Sequence, residues 1–158
     1  MTAVIGTIPG ASEIISTDKD THFTTELLTN AIEEEDISFP STWVTTGTQT
    51  VEIRNITVQS DQQLQWDIQF YATDAHSNTD LDLDKFVTNV NFATSDGVQN
   101  AGTAQFRYDK NPTFIPFMYT DEDNTSEFHI TLVNRDGTKK NAGASGEIVI
   151  KVHAVPVI

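Results

Sequence analysis

Strict two-residue alternation constrains this chain more than any other feature. Leu64-Gln65-Trp66-Asp67-Ile68-Gln69-Phe70 alternates without a break, placing Leu64, Trp66, Ile68 and Phe70 on one side and Gln65, Asp67 and Gln69 on the other. The same period runs through Phe128-His129-Ile130-Thr131-Leu132-Val133, where Phe128, Ile130 and Leu132 share a side. It recurs in Glu147 to His153, where Ile148, Ile150 and Val152 line up with Ala154. In an extended chain successive side chains point to opposite faces, so each run predicts a strand with one buried face. Such strands form sheets that need a second layer to cover their apolar side.

The remaining segments extend this pattern. Gln49 to Gln59 alternates, but Val51 and Ile53 lie out of phase with Ile56 and Val58, which predicts a bulge near Asn55. This run and Leu64 to Phe70 read as a hairpin across Ser60-Asp61-Gln62-Gln63. Lys85 to Thr94 and Ala104 to Tyr108 read as further strands. Thr113 to Thr120 is aromatic but carries Pro116, which confines it to an edge or a bulge. Thr21 to Asp36 is the one plausible helix, with Phe23, Leu27, Leu28, Ala31 and Ile32 near one face. Its closing Glu33-Glu34-Glu35-Asp36 opposes the helix dipole. The strands of Phe128 to Ile158 read as a pair joined by a loop rich in Gly and Ala. The expectation is an all-β protein: an antiparallel β-sandwich, jelly-roll-like, with at most one short helix. Residues 21–158 form the sandwich, and residues 1–20 an N-terminal arm or edge segment. A chain of 158 residues suits one such domain.

Charge narrows the partners. The formal net charge is −14, and it is uneven: residues 1–40 carry −7, residues 41–127 carry −9 and residues 128–158 carry +2. A chain this acidic repels nucleic-acid phosphates and anionic membranes, so neither is expected as a partner. The acidic surface reads either as a solvated face or as a match for a positively charged partner. With no cysteine, disulfides, zinc–thiolate sites and thiol nucleophiles are excluded. No basic segment followed by an apolar run opens the sequence, and no run approaches the ~20 apolar residues of a membrane helix.

Few residue groups suggest chemistry. Asp80-Leu81-Asp82-Leu83-Asp84 would align Asp80, Asp82 and Asp84 on one side of an extended segment, a weak candidate site for Ca²⁺. The glycine and closing glutamate of an EF-hand loop are missing, so a solvated acidic loop is the plainer reading. The histidines are His22, His76, His129 and His153, none in a metal-ligand spacing. His129 and His153 lie opposite the apolar residues of strands read as paired, and are expected as surface neighbours. Gly143-Ala144-Ser145-Gly146 is not a nucleophile elbow, and Asn141 to Gly146 lacks the Lys-Ser/Thr ending of a phosphate-binding loop. Trp43, Trp66, Tyr71 and Tyr119 are the material for a carbohydrate platform; Trp66 belongs to a core face, and Trp43, beside Pro40 and Gly47, is the one loose candidate for an exposed aromatic. No catalytic residue and no cofactor is expected.

The residues Phe128-His129-Ile130-Thr131-Leu132-Val133-Asn134-Arg135-Asp136-Gly137, followed by Ala142-Gly143-Ala144-Ser145-Gly146-Glu147-Ile148-Val149-Ile150-Lys151-Val152, resemble the closing strands of virion structural proteins. The likeness is to bacteriophage capsid-associated proteins of the decoration or cement type, with jelly-roll or sandwich folds. It spans about 31 residues and carries no catalytic motif. It implies a protein at the capsid surface of a virion, partnered by capsid protein or other virion subunits and oligomeric, as in trimers. On that reading the N-terminal arm orders on the partner through Val4, Ile5, Ile8, Ile14 and Ile15. The alternative is a carbohydrate-binding or adhesive sandwich stabilised by Ca²⁺.

Overall fold

The computed structural model describes residues 13–16, 26–27, 32–60, 62–63, 65–74, 83–99, 101–102, 105–110, 116–136, 140–141 and 148–157. In chain order the strands are β1 (Glu13–Ser16), β2 (Glu26–Leu27), β3 (Ile32–Ser38), β4 (Thr50–Ser60), β5 (Trp66–Tyr71), β6 (Phe86–Phe92), β7 (Val98–Gln99), β8 (Phe106–Lys110), β9 (Phe117–Thr120), β10 (Glu127–Asn134), β11 (Lys140–Asn141) and β12 (Ile148–Pro156). Among the described residues one α-helix, α1 (Ser41–Thr46), lies between β3 and β4.

Two antiparallel sheets hold ten of these strands, and β2 and β11 pair as a separate two-stranded sheet. The first runs β1-β12-β4-β8-β7, with β9 also pairing with β4; the second runs β3-β10-β5-β6. Strands β8 and β9 take the two ends of one side of β4, β8 beside Ile56–Ser60 and β9 beside Thr50–Ile53. Take β8 and β9 as one position, and leave aside the two-residue strands β2, β7 and β11. Eight principal strands then remain, ordered first–eighth–third–sixth in one sheet and second–seventh–fourth–fifth in the other. That is the strand order of a jelly roll, two interleaved Greek keys whose sheets share one core.

The core lies between the sheets. Val51, Ile53, Ile56 and Val58 of β4 and Ile148, Ile150, Val152 and Ala154 of β12 face Trp66, Ile68 and Phe70 of β5 and Phe128, Ile130 and Leu132 of β10, all buried. The expected alternation is therefore present. The expected bulge is present too: His153 pairs with Asn55 and Ala154 with Ile53, leaving Arg54 as the extra residue. Aromatic rings close one end of the core. Phe128 meets Phe39 at 4.8 Å and Tyr119 at 5.1 Å between centroids, and Phe70 meets Phe117 at 5.4 Å. Such edge-to-face and tilted contacts add about 0.5–1.5 kcal/mol each beyond area burial.

Several expectations are corrected. β10 and β12 do not pair; they are central strands of opposite sheets. β4 and β5 are likewise divided between the sheets. The helix expected over Thr21 to Asp36 is replaced by β2 and β3. Ile32–Ser38 pairs along β10, and Ile37 then reaches the core beside Phe39. The helix that does form begins after Pro40 and ends at Gly47, whose φ of 69° is the left-handed conformation glycine adopts freely. Its buried residue is Trp43, only 2% exposed, so the candidate surface tryptophan is a core residue.

Of the N-terminal anchors, Ile14 and Ile15 lie on β1, which pairs with β12 at the edge of its sheet among the described residues, as the edge-segment alternative has it. Val4, Ile5 and Ile8 fall outside the described residues. Among the described residues no helix is long and apolar enough to cross a membrane.

Candidate functional site

The most concentrated polar chemistry sits on the outer side of the β3-β10-β5-β6 sheet, around His129. Alternation turns His129 away from the core, as Phe128 and Ile130 turn toward it. Its side chain nevertheless has no exposed surface. The register explains the cover. His129 stands across from Asp36 on β3 and from Tyr71 on β5, and the loop between β9 and β10 folds over it.

Both ring nitrogens are engaged. Nδ1 lies 2.6 Å from Asp36 Oδ1, and Nε2 lies 3.5 Å from Asp121 Oδ1 and 3.4 Å from Thr125 Oγ1. The backbone N–H of His129 donates to the Tyr119 hydroxyl at 3.1 Å, which donates in turn to the Glu127 carbonyl at 3.1 Å. Burial alone would push the imidazole pKa below its ordinary 6.5. The hydrogen bond and charge of Asp36, with Asp121 behind them, outweigh burial and raise it. The raised pKa favours the protonated ring, whose two nitrogens face two carboxylates. Burial drives the Tyr119 phenol far upward, reinforced by the charges of Asp121, Asp36 and Asp123, so it stays a neutral hydroxyl.

Asp121 organises the loop. It has 1% exposure, and its carboxylate accepts the N–H of Asp123 at 3.1 Å and of Ser126 at 2.6 Å. Asn124 and Ser126 adopt left-handed φ values of 59° and 64°. Asp123 accepts the Asp74 N–H at 2.6 Å, and Lys85 pairs with Glu122, which ties the loop to the end of β5 and the start of β6.

Asp36 and Asp74 lie beside an open cavity of about 230 Å³ that Glu34 and Glu35 also line. The carboxylate oxygens of Asp36 and Asp74 and a ring nitrogen of His129 approach within 4.8 Å of one another. The ring nitrogens already serve Asp36, Asp121 and Thr125, and no metal is assigned to the group.

This site differs from the expected ones. His129 and His153 are on opposite sheets and are not neighbours. Of the Ca²⁺ candidates, Asp84 lies in a single 3₁₀ turn, Leu83–Lys85, while Asp80 and Asp82 fall outside the described residues. The four aromatics form no exposed carbohydrate platform: Trp43, Trp66, Tyr71 and Tyr119 are 2%, 0%, 1% and 0% exposed. Asp67, expected to face solvent, is buried beneath Arg135, which bonds it at 2.6 Å while Asn91 donates to its other oxygen at 2.6 Å.

No family model matches this sequence, and no similar curated protein was found. Among solved structures, a chain of Desmodium yellow mottle tymovirus is similar at 8% identity, over 100% of this chain and 94% of its own, with a TM-score of 0.27. A score that low carries no argument about function.

Proposed function

We propose that this chain is a non-catalytic structural protein of a virion, of the decoration or cement kind, which binds a shell by burying surface against it. The jelly-roll strand order is the observation that carries this reading. That architecture recurs in viral capsid and lectin domains and in cupins, so the step from fold to function is an analogy. Two features weigh within the set. Burial of the four large aromatics speaks against a lectin-type stacking platform. The core cluster between the sheets is hydrophobic, and the buried His129 and Asp121 lie on the outer side of one sheet instead of between the two.

The acidic edge supports a partner of opposite charge. β3 is the outermost strand of its sheet among the described residues, and Glu34, Glu35, Asp36 and Asp74 border one cavity. Carboxylates along a sheet edge repel a second copy of the same edge, which keeps like edges from zipping together. They attract a basic shell surface and speed its encounter.

Co-sedimentation of the intact chain with assembled shells of its source particle tests the proposal. The chain is expected to pellet with shells at low salt and to be released as salt rises. Replacing Glu34 and Glu35 by Gln is expected to weaken the binding without unfolding the sandwich. A chain that stays in the supernatant with saturating shells at every ionic strength rules the function out.

A further inference from the structure

His129 is not needed for the surface burial proposed above, yet its environment is the most built in the molecule. Groups from every element around it face it. Asp36 comes from β3, with Glu34 and Glu35 on the same cavity; Tyr71 and Asp74 come from β5 and the turn after it; Tyr119, Asp121 and Asp123 come from β9 and the loop after it. We propose that His129 is a pH-dependent latch: its imidazolium ties edge strand β3 to the 121–126 loop, and loss of one proton, which leaves the ring a single N–H for two carboxylates, uncouples the two.

The geometry supplies the connection. One ring nitrogen holds Asp36 on β3 and the other faces Asp121 in the loop, so a single positive charge spans two elements. A second link ties the same two places: the Phe39 N–H, just past the end of β3, donates to the Ser126 carbonyl at 2.8 Å. Without the ring's positive charge, Asp36 and Asp74, which offer carboxylate oxygens within 4.8 Å of one another, repel uncompensated. Asp121, wholly buried, keeps its backbone donors but loses the facing positive charge. The left-handed φ values of Asn124 and Ser126 are conformations that non-glycine residues hold only when their surroundings enforce them. Loosening the Asp121 anchor therefore frees the loop to relax.

The direction follows from linkage. The folded-state pKa of His129 is raised above 6.5, so the stabilisation is complete below that value and is lost as pH rises through the folded pKa. Acidification closes the latch, and a pH above the folded value opens it.

The test joins an NMR titration of the His129 ring to amide hydrogen exchange expressed as protection factors, which removes the intrinsic pH dependence of exchange. Protection at Phe39 and Ser126 is expected to fall about tenfold across the ring's own midpoint, while Ile53 and Val58 on the other sheet stay unchanged. His129→Gln removes the step if it folds. Asp36→Asn, at a side chain 37% exposed, provides the robust variant and is expected to move the ring midpoint and the protection step together to lower pH. A ring that titrates with no change in protection overturns the proposal. So does a step that keeps its wild-type pH in Asp36→Asn, or a ring with one protonation state from about pH 5 to 10. These readouts use the chain alone, so they stand apart from the outcome of shell binding.

Discussion

One oxygen, the Tyr119 hydroxyl, joins the aromatic end of the core to the polar cluster outside it. It accepts the His129 N–H and donates to the Glu127 carbonyl, both at 3.1 Å, in a fully buried setting. Tyr119→Phe keeps the ring packed against Phe128 and removes both bonds. A loss of about 1–3 kcal/mol is expected from denaturant titration, since an amide and a carbonyl are stripped of partners away from water. An unchanged m-value would confirm that only stability moved; a loss under about 0.5 kcal/mol would contradict the relay. The alternation in the sequence tells that His129 points away from Phe128 and Ile130. It does not tell that this outer face is covered, because the cover comes from Asp36 and Asp121, which reach His129 only through folding. Trp43 and Asp67 were misplaced for the same reason. A side chain's direction is local, whereas its burial depends on segments distant in sequence.

At the level of elements, strands were readable and their partners were not. The parity of Gln49 to Gln59 predicted both the inward residues and the bulge, and the structure has Arg54 in that place. Nothing local distinguishes a hairpin from an arch between sheets, so β4 with β5 and β10 with β12 were each read as neighbours when they belong to opposite layers. The helix expected over Thr21 to Asp36 rested on apolar spacing that a strand edge satisfies by coincidence. The true helix had plainer markers in Pro40 before it and Gly47 after it. Two glycines separate conformation from space. Gly97 has an ordinary φ of −72°, but an added Cβ would sit 2.7 Å from the ring of buried Tyr108. Gly47 has a left-handed φ of 69° and nothing within 4 Å of that position. Gly97→Ala is expected to cost about 1–3 kcal/mol through overpacking, and Gly47→Ala about 1 kcal/mol through backbone strain. Thermal or chemical denaturation measures both, and a larger loss at Gly47 would contradict the packing described around Tyr108.

At the scale of the whole molecule, acidic charge gathers on the β3 edge of the β3-β10-β5-β6 sheet. The formal charge of −14 was visible in the sequence, as was its concentration before residue 128. That the Glu34–Asp36 run becomes a sheet edge next to Asp74 was not visible, because the segment resembled a helix and its partner strand β10 lies ninety residues further along. The central claim is that this edge meets a positively charged shell. Amide hydrogen exchange on the intact chain, free and bound to assembled shells, locates the contact directly. The account predicts new protection in β3 and in the loop 121–126, with β4 and β12 of the other sheet unchanged. Protection confined to β4 and β12, or no protection anywhere while the chain is bound, would contradict it.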